Sequence, residues 1–149
     1  MVNKISGGVF ADDRGFLRFV NDFDFSNVKR FYQVENHMQG YIRAWHGHEK
    51  EGKYVYVAKG TALVGAVNME TEEINKFTLS SQSPSVLYIP PGYANGFKNL
   101  EEDTIIMFFS TSTIEEVTVM ILGLTGINGT SGRKVTDEER RFLGSKSPK

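Results

Sequence analysis

The sequence contains no cysteine, which excludes disulfides and thiolate metal sites alike. No apolar run approaches ~20 residues, so no membrane span is expected, and residues 1–11 are too polar for a secretory signal. Neither charge sign is in excess: 17 basic and 18 acidic side chains leave a net charge of −1. The basic field that would neutralise a nucleic-acid backbone is therefore missing, and nucleic acid is not an expected partner. Before residue 114 no stretch repeats its apolar positions with a helical period. These absences lead to the expectation of a soluble, cytoplasmic protein.

What is present suits one folded domain. The chain has 149 residues, 40% of them apolar, and its aromatic content is mostly phenylalanine, 11 against a single Trp. That is enough for one sizeable core. Short alternating or apolar stretches, separated by turn residues, read as strands over 15–20, 29–34, 42–48, 53–58, 61–68, 74–79, 86–89 and 104–110. The segment holding Tyr54, Val55, Tyr56 and Val57 has the strongest strand propensity. Many short strands with Gly and Pro turns predict an all-β sandwich or barrel. The tail changes character. Residues 1–116 are expected to form the β domain, and 117–149 a C-terminal extension, partly disordered or with a short helix over 137–143.

The chemistry-bearing residues come in two runs. Gly40 is followed by His46-Gly47-His48, then Lys53, then Gly60; later come Pro90-Pro91-Gly92, Asn95 and Asn99. These spacings resemble the two motifs of the cupin superfamily, whose fold is a double-stranded β-helix, or jelly-roll barrel. On a strand, the His-x-His spacing puts both imidazoles on one face. Where the superfamily has its metal-binding Glu, this chain has Lys53, and where it has its second-motif His, it has Asn95. An ammonium offers no lone pair and repels a divalent cation, and an amide is a weak ligand for transition metals. No bound metal and no other cofactor is therefore expected.

What remains is two imidazoles, an ammonium and an amide. That set suits proton abstraction beside a carbonyl. A neutral His takes the proton, and a cation or amide donor stabilises the enolate oxygen. An inward Lys53 in an apolar barrel is costly unless it has a task or a partner. His37, in a polar turn, is read as surface or rim.

A narrower resemblance surrounds these residues. Asp12-Asp13-Arg14-Gly15-Phe16, Ile42-Arg43-Ala44-Trp45-His46, Gly52-Lys53-Tyr54-Val55-Tyr56-Val57 and the run from Leu87 to Phe97 resemble motifs of the dTDP-4-dehydrorhamnose 3,5-epimerase family. Glu35-Asn36-His37 falls where that family has its Asn-containing turn. The resemblance implies a jelly-roll homodimer acting, without metal, on a nucleotide-linked 4-keto-6-deoxy sugar. By the same resemblance His46 is the base and Lys53 lies near the enolate. Arg43 holds the substrate near its phosphates, with Asn36, Asn95 and Tyr93 as further contacts, and Arg14 reaches the neighbouring subunit's site. The family's acid, a Tyr after its last core strand, is replaced by Thr113. His48 departs from the epimerase pattern. Arg43-Ala44-Trp45-His46-Gly47-His48 instead matches the Arg-x-x-His-x-His of the sugar 3,4-ketoisomerases, which residues 28–32 also resemble. Tyr32 and Tyr93 are then the candidates for the missing acid. Three functions stay open at this point: a nucleotide-sugar epimerase or ketoisomerase in surface polysaccharide or deoxysugar synthesis, a non-catalytic cupin binding a sugar nucleotide or protein partner, and a metal cupin.

Overall fold

The computed structural model describes residues 1–117. Of the expected extension over 117–149, residues 118–149, with the short helix, lie outside the described residues. Eleven strands are present: β1 (Asn3–Ser6), β2 (Gly8–Asp12), β3 (Gly15–Phe19), β4 (Arg30–Glu35), β5 (Ile42–His48), β6 (Lys53–Lys59), β7 (Thr61–Asn68), β8 (Ile74–Ser80), β9 (Ser85–Ile89), β10 (Tyr93–Asn99) and β11 (Ile105–Ser110). They form a five-stranded sheet, β1-β9-β6-β11-β4, a four-stranded sheet, β5-β10-β7-β8, and a separate hairpin, β2-β3. All pairings between named strands are antiparallel. This is the all-β, cupin-type jelly-roll barrel expected from the strand pattern and the motif spacing.

The main core lies between the two larger sheets. Val55 and Val57 of β6, Leu87 and Ile89 of β9, and Ile106 and Phe108 of β11 meet Ala62, Val64 and Ala66 of β7, Leu79 of β8 and Phe97 of β10. Each set recurs every second residue, as the pleat requires. Burying a large aliphatic side chain of this kind contributes about 1.5–3 kcal/mol. A second cluster of Ile42, Trp45, Val67 and Ala94 covers the opposite face of the four-stranded sheet.

Three strands are absent from the sequence reading. β1 is a short, polar strand that pairs with β9 and, among the described residues, stands at the sheet edge. β2 closes a hairpin with β3 through Asp13-Arg14, with Asp12 accepting a hydrogen bond from the Arg14 amide at 2.9 Å. β10 reads Tyr-Ala-Asn-Gly-Phe-Lys-Asn, with poor strand propensity. It is nonetheless a central strand, bonded to β5 on one side and β7 on the other. Tertiary pairing there overrides local preference.

β5 departs from strict alternation. Asn95 lies opposite His46, but Phe97 lies opposite Arg43, so three steps on β5 match two on β10. The extra residue is a β-bulge. It places Ile42 and Trp45, three apart, in the outer cluster, and Arg43 and His46, also three apart, on the barrel cavity.

The motif glycines Gly40 and Gly60 share the same left-handed φ of 84° but differ in surroundings. A Cβ at Gly40 meets open space. One at Gly60 lands on the Thr104 hydroxyl, with Thr104 Cα 3.0 Å away. Gly40→Ala is expected to cost about 1–2 kcal/mol, the left-handed penalty alone. Gly60→Ala is expected to cost measurably more; equal denaturation midpoints for the two variants would contradict this account.

Candidate active site

A cavity of about 240 Å³ opens between the sheets. Each wall is a strand that the pleat turns inward. β4 supplies Arg30, Tyr32 and Val34, the half-buried positions of an alternating strand whose Phe31, Gln33 and Glu35 face out. β5 supplies Arg43, His46 and His48, and β6 supplies Lys53. Asn95 and Phe97 of β10 and Phe108 of β11 complete the barrel wall, and Val117 closes one side.

Of the residues singled out from the sequence, His46, His48, Lys53, Tyr32, Arg43 and Asn95 are brought together around this cavity. Lys53 is only 8% exposed. Its Nζ lies 3.4 Å from Asn95 Oδ1, to which it donates, and 5.9 Å above the Phe108 ring. Burial pushes the Lys53 ammonium down from its usual range, with Glu51 opposing that shift. Tyr32 stacks on Phe108 at 5.1 Å between centroids, and the Arg30 guanidinium lies 4.8 Å over the Tyr32 ring. Burial, followed by the charge of Glu51, raises the Tyr32 phenol, which therefore keeps its proton.

Asn36 has a different place. Its Oδ1 accepts from Arg43 Nε at 2.7 Å, and its Nδ2 donates to Asn99 Oδ1 at 3.0 Å. It does not line the cavity; it aims Arg43. Tyr93 lies opposite His48 on the neighbouring strand and lines a separate surface recess with Asn68 and Met69. Arg14 sits at the tip of the β2-β3 hairpin, outside the barrel wall, paired with Asp12 at 2.5 Å. His37 is exposed in its turn. Thr113 caps a single helical turn: its Oγ1 accepts from the Glu116 amide at 3.2 Å, and Glu116 Oε1 accepts from the Thr113 amide at 2.7 Å. This reciprocal capping box uses the hydroxyl oxygen as an acceptor, and Thr113 is not among the residues lining the cavity.

Two charged cavity residues were not singled out from the sequence, Arg30 and Glu51. Glu51 belongs to the β5-β6 loop, read only as a polar connection. It is 4% exposed. Its Oε1 lies 3.4 Å from His48 Nε2 and 4.0 Å from Lys53 Nζ, and its Oε2 lies 3.6 Å from an Arg30 nitrogen and accepts from the Ser110 hydroxyl. Its place in a loop, three residues after His48 and two before Lys53, carries no periodicity that would have marked it as inward.

The two imidazoles differ. Burial first, then the charges of Lys53, His48 and Arg43, pulls His46 down to about 4. Among the described residues no carboxylate opposes these effects. His48 is also lowered by burial, and further by Lys53 and Arg30, but Glu51 pushes it back up. At neutral pH His46 is therefore a neutral imidazole with its lone pair available, beside a cavity carrying three cationic side chains and one carboxylate.

The comparisons with known proteins bear on the family and the fold. The chain is 28% identical over 109 residues to the spore coat polysaccharide biosynthesis protein SpsL of Bacillus subtilis, covering 68% of this chain and 72% of that one. It is similar to the solved dTDP-4-dehydrorhamnose 3,5-epimerase from Sulfolobus tokodaii, with 29% identity and a TM-score of 0.65 over 75% of this chain and 70% of that one. It shares its fold with the 3,4-ketoisomerase QdtA of Thermoanaerobacterium thermosaccharolyticum, solved with TDP, at 19% identity and a TM-score of 0.64 over 77% of this chain and 83% of that one. It also shares the fold of the Mycobacterium tuberculosis rmlC epimerase, at 18% identity and a TM-score of 0.66; 75% of this chain matches, but only 64% of the length of that epimerase is spanned. The sequence model of dTDP-4-dehydrorhamnose 3,5-epimerase matches residues 2–121. With a match that runs through all eleven described strands, the chain belongs to the dTDP-4-dehydrorhamnose 3,5-epimerase family.

Proposed function

We propose that the protein is an isomerase that removes and returns a proton beside the keto group of a dTDP-linked 4-keto-6-deoxy sugar, in deoxysugar or surface polysaccharide synthesis. The observation that carries this reading is the sharing of one cavity by a neutral imidazole, His46, and a buried ammonium, Lys53. His46 takes the proton from the carbon next to the carbonyl. The C–H electron pair becomes the enolate, whose oxygen is stabilised by the Lys53 ammonium and the Asn95 amide. The cationic groups Arg30 and Arg43 suit a diphosphate, since a guanidinium fork donates two parallel hydrogen bonds. Asn36, by holding Arg43 Nε, leaves its terminal nitrogens for that task. Family membership supports the substrate class, as does the TDP bound to the QdtA ketoisomerase.

The same reading includes a homodimer. The β2-β3 hairpin leaves Phe10, Phe16 and Leu17 more than half exposed, with Arg14 at its tip. A second subunit would cover these side chains and receive Arg14 at its own site. Sedimentation should then show a dimer, and Phe16→Asp should shift it to monomer; a monomeric parent protein would overturn the dimer.

The activity is tested by solvent deuterium entering a dTDP-4-keto-6-deoxy sugar, read by mass. His46→Ala is expected to lower the exchange rate by about 100- to 10,000-fold, the usual contribution of a positioned base, with the circular dichroism unchanged. Full exchange in that variant removes His46 from the mechanism. No exchange in the parent protein, with TDP still bound, leaves a sugar-nucleotide binding module instead. Because the folded His46 is held below its ordinary value, its base form persists as pH falls. The acid limb of the exchange rate is expected at about pH 4, and an acid limb near the ordinary 6.5 would contradict the described environment.

A further inference from the structure

The last asparagine of the second sequence motif, Asn99, has no part in the reading above. It ends β10, and the pleat that turns Asn95 and Phe97 inward turns Asn99 the same way. It is 2% exposed, yet it does not line the cavity. A polar side chain buried so deeply is held by partners, and the partners of Asn99 lead to Arg43. We infer, resting on the diphosphate role given to Arg43, that Asn99 is a positioning residue for substrate binding: through Asn36 it fixes which edge of the Arg43 guanidinium is presented to the cavity.

The hydrogen bonds run in one sense. Asn99 Nδ2 donates to the Glu101 carbonyl at 3.1 Å. Asn99 Oδ1 then accepts from Asn36 Nδ2 at 3.0 Å, and Asn36 Oδ1 accepts from Arg43 Nε at 2.7 Å. Both ends of this relay are committed, because a carbonyl only accepts and a guanidinium only donates. Flipping the Asn99 amide sets its oxygen against the Glu101 carbonyl and its nitrogen against Asn36 Nδ2. Flipping Asn36 to suit then sets its nitrogen against Arg43 Nε. Around a buried amide each such clash costs the desolvation of the groups left unpaired. One main-chain carbonyl therefore decides the sense of the whole relay. That carbonyl is itself fixed, since it also accepts from the buried Thr104 hydroxyl at 2.7 Å.

The turn that carries Asn36 is tied to the same place. The Gly40 amide donates to the Asn99 carbonyl at 2.9 Å, and Gln39 Nε2 donates to the Leu100 carbonyl at 2.7 Å. The other brace on the Asn36 amide is a 3.4 Å contact to the Tyr41 carbonyl, within the turn itself. It is the Asn99 contact that joins Asn36 to a strand of the barrel wall. Arg43 is exposed at the cavity rim. A long exposed side chain loses rotamer freedom when it grips a ligand. Holding Nε in advance lowers that cost and leaves the terminal nitrogens for the ligand.

The test is TDP affinity, measured by calorimetry. Asn99→Leu keeps the size of the side chain and removes its amide. It is expected to weaken TDP binding about 3- to 10-fold, the usual weight of one hydrogen bond. In exchange assays it should raise KM by a similar factor and leave kcat nearly as it was. Asn99→Asp, which keeps an oxygen toward Asn36, should recover part of the affinity. In an Arg43→Lys background, which has no Nε to hold, Asn99→Leu should weaken TDP no further. A parent-like affinity in Asn99→Leu, with or without a lowered melting temperature, overturns the inference, as does an equal loss in both backgrounds. Should Asn99→Leu fail to fold, Asn99→Ser, too short to reach Asn36, takes its place with the same expectations. If the parent protein binds no TDP, the diphosphate reading fails by itself. The Arg43 Nε–H resonance, read without ligand, then decides the relay: slow solvent exchange in the parent and fast exchange in the Asn99 variant support it, and equal rates overturn it.

Discussion

The buried Glu51 carboxylate is the point on which the cavity's electrostatics turn. Arg30, His48 and Lys53 converge on it from two strands of one sheet and one of the other, and Ser110 holds it from a fourth strand. An ammonium at the first residue of β6, buried beside the Phe108 ring on a wall shared with Phe97, would carry a desolvation penalty of several kcal/mol if unpaired. With the carboxylate in place, part of that penalty is offset, and the remaining positive charge is directed into the cavity. Removing one member of such a cluster leaves the others uncompensated, so it acts as a unit rather than as separable pairs.

On the proposed reading, this arrangement also accounts for how a metal-type cupin barrel is turned to proton transfer. The two imidazoles keep the strand face that the His-x-His spacing dictates. The carboxylate has not disappeared from the cavity. It enters from the loop before β6, while its usual strand position carries Lys53. The acid side chain thereby serves its cationic neighbours, and the ammonium takes the place beside Asn95 from which an oxyanion can be stabilised.

Much of this was legible in the sequence. β5, β6, β7 and β11 carry alternating or strongly β-branched and aromatic patterns, and the cupin spacings place His46, His48 and Lys53 on inward positions. β10 was not legible as a strand, because Asn95, Gly96 and Asn99 suppress its propensity and its order comes from two neighbours distant in sequence. Glu51 was not legible as a site residue, because a loop has no periodicity to say which way a side chain points. Asn36 carries a motif resemblance, but only the structure distinguishes holding an arginine from touching a ligand.

The bulge in β5 also makes the segment intolerant of changes in length. On a flat strand, residues three apart face opposite ways. Only the surplus residue around Ala44 lets a guanidinium and an imidazole look into the same hollow, while Ile42 and Trp45 anchor the reverse side. Loss of one residue there would pull apart both pairings at once, evicting either Arg43 or His46 and unseating the indole. In this chain the Arg43–His46 interval is thus the sequence trace of a ladder that has skipped a rung.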